Sequence, residues 1–180
     1  VPVPETVQRV LVAFGGGDPR RMTERGLEAL ERSGYGGRAD VVLGPAAGSD
    51  SVGSRAPGGV DVRVHRNVRD MVELIRGQHL ALCAAGGMSW ELACLGVPMI
   101  QTAVADNQEP IARALEEYGV SVRAGSSDQV RAGELARLLE RVSGDRTVPP
   151  SGRWLRITGR VQRRSCRAGG SAERGLRGWR

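Results

Sequence analysis

Short apolar runs alternate along this chain with longer segments in which apolar residues recur every three or four positions. The runs predict strands over residues 7–14, 39–43, 60–64, 79–84, 99–104 and 120–123. The longer segments predict helices over residues 20–33, 70–77, 88–95, 109–118 and 128–142. Strands that alternate with helices predict an α/β fold with a doubly wound, parallel, Rossmann-like sheet and right-handed crossovers.

A glycine turn opens the helix predicted at residue 88. Gly86 and Gly87 interrupt the apolar run before it, and glycine permits a tight turn there. The first backbone N–H groups of a helix are unpaired and lie at the positive end of its dipole, so they can bind a phosphate or diphosphate without a lysine. The turn therefore predicts an anion site.

Side chains of the same helix could complete that site. Ser89 is expected to add a hydroxyl donor, and Glu91 could accept hydrogen bonds from paired hydroxyls such as a ribose diol. Met88 and Trp90 would line the pocket or pack on the sheet. The pattern also fits an ordinary strand–turn–helix unit, with Ser89 as a cap and Glu91 as a first-turn charge.

Two further loops follow predicted strands. Gly15, Gly16, Gly17 and Asp18 form the first, with Asp18 suited to a helix N-cap. The loop is neither a P-loop nor a full dinucleotide fingerprint, since no Gly-Lys-Ser/Thr follows and Arg20 stands where a third glycine is needed. It could bring backbone close to a sugar or phosphate, or be a tight β–α turn. The second loop, residues 105–108, is polar and lies where α/β sheets place ligands.

Charge divides the chain into two parts. Residues 1–145 hold 16 Arg and 19 acidic residues, whereas residues 146–180 hold 10 Arg and one acid, which together give the net charge of +6. We predict a domain over residues 1–145 and an Arg/Gly-rich tail over 146–180 that is disordered or non-native. An RNA-contacting tail is the less favoured alternative, and nucleic acid is not the expected partner. The chain has no lysine, which excludes a Walker-type lysine and Schiff-base chemistry within it.

Other compositional signals narrow the class of protein. The three cysteines are too scattered for a disulfide framework or a zinc site, so no metal and no cofactor are predicted. Cys83 and Cys94 lie in apolar segments and are expected to be buried. No run approaches the length of a membrane span, and the cytoplasm is the expected compartment. The first residue is Val1, so we expect a fragment or a processed product.

Five motifs in sequence order carry a resemblance: Phe14-Gly-Gly-Gly-Asp-Pro19, Asn67-Val-Arg-Asp-Met71, Gly86-Gly-Met-Ser-Trp-Glu91, Leu95-Gly-Val-Pro98 and Asp106-Asn-Gln108. Over roughly residues 7–143 the chain resembles the C-terminal half of GT-B-type nucleotide-sugar enzymes. It is most similar to the hydrolases of pseudaminic acid biosynthesis, which cleave a UDP-linked diacetamido-trideoxy-altrose, and to spore-coat polysaccharide proteins. MurG-type glycosyltransferases are more distant.

The resemblance implies a role for each motif in binding a UDP-sugar. Diphosphate would bind at Gly86, Gly87, Met88 and Ser89, and Glu91 would hold the ribose hydroxyls. The backbone of Asn67 and Val68 would meet the uracil. Asn107 and Gln108 would contact the sugar or the adjacent phosphate, and residues 15–18 would border the cleft to a partner domain.

The resemblance leaves three functions open. The first is the UDP-sugar-binding domain of a hydrolase that breaks the anomeric C–O bond and releases UDP. The second is the donor domain of a glycosyltransferase, and the third is a truncated, non-catalytic module. The family's catalytic histidine lies in an N-terminal domain that this chain lacks, so we expect no catalytic residue here; His65 and His79 are not substitutes.

Overall fold

The computed structural model describes residues 7–47 and 59–144 of the chain. The predicted tail over 146–180 lies outside the described residues, as does most of the Gly/Ser-rich loop that follows the second strand.

The described residues form six strands and five α-helices. The strands are β1 Arg9–Ala13, β2 Arg38–Leu43, β3 Asp61–Arg66, β4 Leu80–Ala84, β5 Met99–Ala103 and β6 Ser121–Ser126. The α-helices are α1 Met22–Arg32, α2 Met71–Arg76, α3 Gly87–Leu95, α4 Glu109–Glu117 and α5 Ala132–Gly144. Short 3-10 helices precede α1 at Pro19–Arg21 and α4 at Asp106–Gln108.

All six strands are parallel and form one sheet in the order β3-β2-β1-β4-β5-β6. The predicted doubly wound, Rossmann-like α/β fold is therefore confirmed. The chain winds outward from β1 to β3, then returns to the other side of β1 and winds outward again from β4. In sheets of this order, a crevice for ligands opens at the carboxyl ends of the strands where the direction of winding reverses.

Each face of the sheet carries its own hydrophobic core. Val10 and Val12 of β1 face the core that includes Leu30 of α1 and Leu135 of α5. The alternate β1 residue Leu11 faces the core that includes α2, α3 and α4. β4 and β5 are buried along their whole lengths: β4 is apolar on both faces, as expected of a central parallel strand, whereas β5 also buries the polar residues Gln101 and Thr102. Full burial of each large side chain contributes about 1.5–3 kcal/mol.

Helix α1 begins two residues later than its periodicity predicts. Arg20 and Arg21 have positive φ angles of 64° and 56°, which an α-helix does not allow. Asp18 nevertheless caps α1, since its Oδ1 accepts a hydrogen bond from the Thr23 N–H at 2.9 Å.

The start of α5 and the end of β3 also differ from the prediction. Helix α5 begins at Ala132 rather than at residue 128, because the N–H groups of Gln129 and Val130 both donate to the Ser126 carbonyl and close a turn there. Strand β3 extends to Arg66, so His65 pairs with β2 and is not in a loop as predicted.

A carboxylate lies buried within β2. Asp40 is fully buried on the face of the sheet that α2 covers, and its Oδ1 accepts hydrogen bonds from Arg38 Nε at 3.1 Å and Nη2 at 2.7 Å. His65 Nε2 lies 2.7 Å from the same oxygen, while Gln78 Nε2 donates to Oδ2 at 3.0 Å. Burial acts to raise the pKa of Asp40, but the hydrogen bonds from Arg38, Gln78 and His65 and the charge of Arg38 outweigh it, and the pKa is lowered.

No helix in the described part of the chain is long and apolar enough to cross a bilayer. The two cysteines of this part differ in environment. Cys83 is buried, and burial raises its pKa to about 12. Cys94 is exposed, contrary to expectation, because it lies on the outer side of α3.

Asp40→Asn is expected to lower the free energy of unfolding by about 3 kcal/mol at neutral pH, because it leaves Arg38 without its buried partner charge. The lowered pKa of Asp40 means that its stabilising effect is present above its usual pKa of 3.8 and is lost as the pH falls through the folded-state value. Urea unfolding from pH 7 to pH 3 should show the difference between the two proteins shrinking at the acid end.

Asp61→Asn is the matched control, because Asp61 is an exposed carboxylate on the adjacent strand. It should change the free energy of unfolding by less than about 0.5 kcal/mol at any pH. A difference between Asp40→Asn and the unmodified protein that stays constant from pH 7 to pH 3 would contradict the proposed electrostatic role.

Candidate functional site

The site residues predicted from sequence lie at one edge of the sheet or on the first turns of α3. Because the strands are parallel, the loops that follow β1, β3, β4 and β5 all emerge at their shared carboxyl edge. Those loops carry residues 15–18, residues 67–68, residues 86–87 and residues 107–108. The topology thus brings separate segments of the chain to a common edge, and the β1 and β4 loops flank the winding reversal.

The N-terminus of α3 lies at that reversal. Gly86 precedes the helix in an extended conformation; its N–H donates to the Ala84 carbonyl at 2.8 Å, and its own carbonyl accepts from the Ser89 N–H at 3.1 Å. Among the described residues, the N–H groups of Gly87 and Met88 have no backbone acceptor. Gly87 is exposed, and a Cβ built on it would meet nothing within 4 Å. Two N–H groups without a backbone acceptor therefore lie at the positive end of a helix, beside the open space at Gly87, and such a helix end can bind an anion.

Ser89, predicted to add a hydroxyl donor to the anion site, makes a hydrogen bond within the fold. Its side chain is fully buried, and its hydroxyl donates to the Ala84 carbonyl at 3.0 Å. A serine hydroxyl has one hydrogen to donate, so in this position it cannot also donate to a ligand. Ser89 instead joins the first turn of α3 to the end of β4.

The outer side of α3 carries the two other predicted side chains. Glu91 is exposed, and its carboxylate makes no hydrogen bond or ion pair with any described residue. Trp90 is 47% exposed, so it does not pack on the sheet. Glu91 follows Gly87 by four residues and lies above it on the same side of the helix, which places a free carboxylate beside the open N–H groups.

The loop after β5 reaches the glycine turn. Gln108 Oε1 accepts a hydrogen bond from the Val104 N–H at 3.0 Å, which orients the amide. Its Nε2 lies 3.6 Å from the point that a Cβ at Gly86 would occupy. Asn107 is exposed on the 3-10 helix Asp106–Gln108, which replaces the irregular loop expected there. The structure therefore adds an amide donor to the edge of the anion site.

The loop after β1 lies across the reversal from α3. Gly15 has a φ of 95°, which favours glycine, and Cβ atoms built on residues 15–17 would meet nothing within 4 Å. The backbone of Gly16 is held in place by the segment after β2, since its carbonyl accepts a hydrogen bond from the Ala46 N–H at 3.1 Å and its backbone lies against Gly44. Asp18 is buried and its Oδ1 caps α1, while its Oδ2 has no hydrogen-bond partner among the described residues; the exposed glycines 15–17 border the open edge.

The loop after β3 lies at the far end of this edge. Asn67 is exposed with a φ of 51°, and the half-buried Val68 lines a shallow hollow with His65, Asp70 and other residues. Strands β2 and β1 separate β3 from β4, so this loop lies three strand spacings, about 14 Å, from the α3 turn. This distance suits an extended ligand that contacts both the loop after β3 and the turn before α3.

Neither Asp40 nor Gln78 is among the residues predicted from the sequence. Asp40 is a carboxylate inside the apolar run Arg38–Leu43. Because a buried charge requires partners, its position in the run indicated a carboxylate that is bonded to other side chains. Gln78 had no comparable signal, because its contact with Asp40 joins residues 38 positions apart.

Comparisons with known proteins support the fold assignment. No protein-family model matches the sequence. The uncharacterized protein MJ1062 of Methanocaldococcus jannaschii is 28% identical over 97 residues, which are 52% of this chain and 20% of that protein. The calicheamicin glycosyltransferase CalG4 superposes with a TM-score of 0.68 at 20% identity, over 94% of this chain and 41% of its own.

Two further structures have the same fold with a ligand bound. The spinosyn rhamnosyltransferase SpnG, complexed with thymidine diphosphate, gives a TM-score of 0.69 at 19% identity over 88% of this chain and 42% of its own. UGT2 of Phytolacca americana, complexed with UDP-2fluoro-glucose and pterostilbene, gives a TM-score of 0.64 at 18% identity over 93% of this chain and 38% of its own. The chain therefore has the fold of one part of GT-B glycosyltransferases and spans about two fifths of their length.

Ser89→Ala is expected to lower the free energy of unfolding by about 0.5–1.5 kcal/mol, the usual effect of losing one hydrogen bond. Its effect on the affinity for inorganic pyrophosphate should be less than about twofold, because the hydroxyl points away from the open edge. Thermal unfolding and an NMR titration measure the two quantities.

Ser33→Ala is the matched control, since Ser33 Oγ also donates to a backbone carbonyl, that of Leu30, at 2.9 Å. It should give a similar loss of stability and no change in affinity. A large loss of pyrophosphate affinity in Ser89→Ala alone would restore the role predicted from sequence.

Proposed function

We propose that this chain is the donor-binding domain of a nucleotide-sugar-dependent enzyme of the glycosyltransferase type, with a UDP-sugar as the donor. One observation carries the proposal. At the point where the winding of the sheet reverses, the α3 N-terminus presents the free N–H groups of Gly87 and Met88, with the free carboxylate of Glu91 four residues beyond Gly87.

Each part of a nucleoside diphosphate sugar has a chemically suited partner at this edge. The diphosphate would accept hydrogen bonds from Gly87 and Met88, and the Gln108 amide would contact the adjacent phosphate or the sugar. The Glu91 carboxylate would accept from both ribose hydroxyls. Asn67 and Val68 would offer backbone groups to the base.

The remaining contacts concern the sugar. The open glycines 15–17 leave room for it on the β1 side, and Asn107 is exposed on the β5 side. Cleavage of the anomeric C–O bond leaves negative charge on the departing diphosphate. The N-terminus of α3 would stabilise that charge, and preorganised donors of this kind usually provide the largest electrostatic contribution to catalysis.

The ligands of the structural relatives support this choice. SpnG was crystallised with thymidine diphosphate and UGT2 with UDP-2fluoro-glucose. Both proteins are related to this chain by fold at 18–19% identity, so their ligands support a nucleotide-sugar without determining the base or the sugar. Because this chain spans about two fifths of their length, we propose that a second domain supplies the acceptor site and the catalytic base.

A UDP-sugar hydrolase is the second candidate. The order of five motifs in the sequence favours it, since that order is similar to the hydrolases of pseudaminic acid biosynthesis. The two candidates share a donor site and differ in whether water or a hydroxyl acceptor attacks the anomeric carbon. Chromatography of the products formed by the full-length enzyme separates them, because a hydrolase releases free sugar and UDP at the same rate with or without an acceptor.

Glu91→Ala is expected to weaken UDP binding by about tenfold or more, because two hydrogen bonds to a charged acceptor are lost. Isothermal titration calorimetry with UDP measures this effect, and titration with inorganic pyrophosphate should show little change because pyrophosphate has no ribose.

Glu117→Ala is the matched control. Glu117 is an exposed helical glutamate at the end of α4, at the opposite edge of the sheet, and its removal should leave both affinities unchanged. UDP binding that is equally strong in Glu91→Ala and in the unmodified protein would refute the ribose role. The absence of UDP and pyrophosphate binding in the folded, unmodified protein would refute the proposed function.

A further inference from the structure

The carboxylate of Asp40 connects the elements on either side of the loop at residues 67–70. On one side, His65 Nε2 lies 2.7 Å from Asp40 Oδ1, and His65 is two residues before Asn67. On the other side, Gln78 Nε2 donates both to Asp40 Oδ2 and to the Leu74 carbonyl of α2, each at 3.0 Å. The loop therefore begins just after His65, which contacts Asp40, and it ends at α2, which Gln78 links to Asp40.

The conformation of this loop needs such support. Asn67 has a φ of 51°, in the left-handed region that residues other than glycine rarely adopt and that persists where surrounding structure holds it. Asp70 fixes the other end of the loop, since its Oδ1 accepts from the Glu73 N–H at 2.9 Å and caps α2. Helix α2 has only six residues; Ile75 is its one buried side chain, and the half-buried Met71 and Leu74 pack against the same core.

Asp40 is suited to be the fixed point because it is fully buried among several partners. Both of its oxygens accept hydrogen bonds, from Arg38, His65 and Gln78, and Arg9 Nη2 lies 3.9 Å from Oδ2. Hydrogen bonds to a charged acceptor are stronger than neutral ones. His65 is 29% exposed, so it reaches from this buried point to the open edge of the sheet.

We infer that Asp40 and His65 are positioning residues for the nucleotide base: the buried carboxylate holds His65 and α2 so that the backbone of Asn67 and Val68 has one fixed geometry. The inference rests on the proposed function and adds a determinant of base recognition to it. The diphosphate site at Gly87 lies about 14 Å away across two strands, so a disturbance at His65 should affect the base and leave the diphosphate unaffected.

The experiment compares two ligands on the full chain by NMR titration of backbone amides: UDP, which has a base, and inorganic pyrophosphate, which has none. His65→Leu removes the group that contacts Asp40, and its affinity for UDP should fall about tenfold. Its affinity for pyrophosphate should stay within about twofold of the unmodified protein. His65→Gln keeps an amide N–H that can reach Asp40, and it should restore most of the UDP affinity.

Arg63→Gln is the matched control, because Arg63 is exposed on the same strand and pairs with the exposed Asp61. It should alter neither affinity. A merely structural role for His65 would predict that His65→Leu weakens both ligands equally and that His65→Gln does not rescue UDP binding selectively.

The possible failures are distinguishable. If the unmodified protein binds UDP and His65→Leu binds it equally well, or loses UDP and pyrophosphate in parallel, the positioning role is overturned and the proposed function stands. If the folded, unmodified protein binds neither ligand, the proposed function is overturned and this inference with it.

Discussion

The structure depends on one constraint: all six strands run in the same direction. A parallel pair cannot be joined by a tight turn, so each connection must cross a face of the sheet and return to the opposite edge. This requirement covers both faces with helices and explains why β4 and β5 are buried along their whole lengths and why β4 is apolar on both faces. It also collects the loops that follow the strands at one edge, where residues far apart in sequence meet.

The order of the strands then determines where at that edge a ligand can bind. Because β1 lies between β2 and β4, the helices that follow β1 and β4 leave toward opposite faces, and their N-terminal loops separate. The glycine loop after β1 and the α3 turn border the resulting opening. Gln108, from the loop after β5, reaches the same turn and supplies a further donor.

Helix α3 both packs on the sheet and forms the candidate site. Its periodicity places the packing residues on one side and the residues of the site on the other. Ser89, Leu92 and Ala93 are buried against the sheet, while Gly87 and Glu91 face outward one turn apart. Ser89 illustrates the separation, since its hydroxyl bonds the end of β4 and holds the first turn in place. The buried residues therefore fix the position at which the outward N–H groups of the helix are presented.

Two kinds of electrostatic interaction act at the two ends of the edge. At α3, backbone dipoles offer partial positive charge without any cationic side chain. At β3, the full charge of Asp40 is buried and satisfied by side chains from two strands and from the segment after α2. The first arrangement remains open to a ligand, whereas the second is closed and serves to hold neighbouring backbone in place.

The sequence by itself determined the number and kind of elements, the α/β class and the glycine turn before α3. These features depend on interactions between residues close in the chain: apolar periodicity, the turn-forming preference of glycine, and the stop at Gly96. The tertiary structure alone decided the strand order, the inward direction of the Ser89 hydroxyl and the partnership of Asp40 with His65 and Gln78. Each of these depends on which distant groups come into contact, and a buried polar group bonds to the partner that the fold brings within reach, which local pattern does not specify.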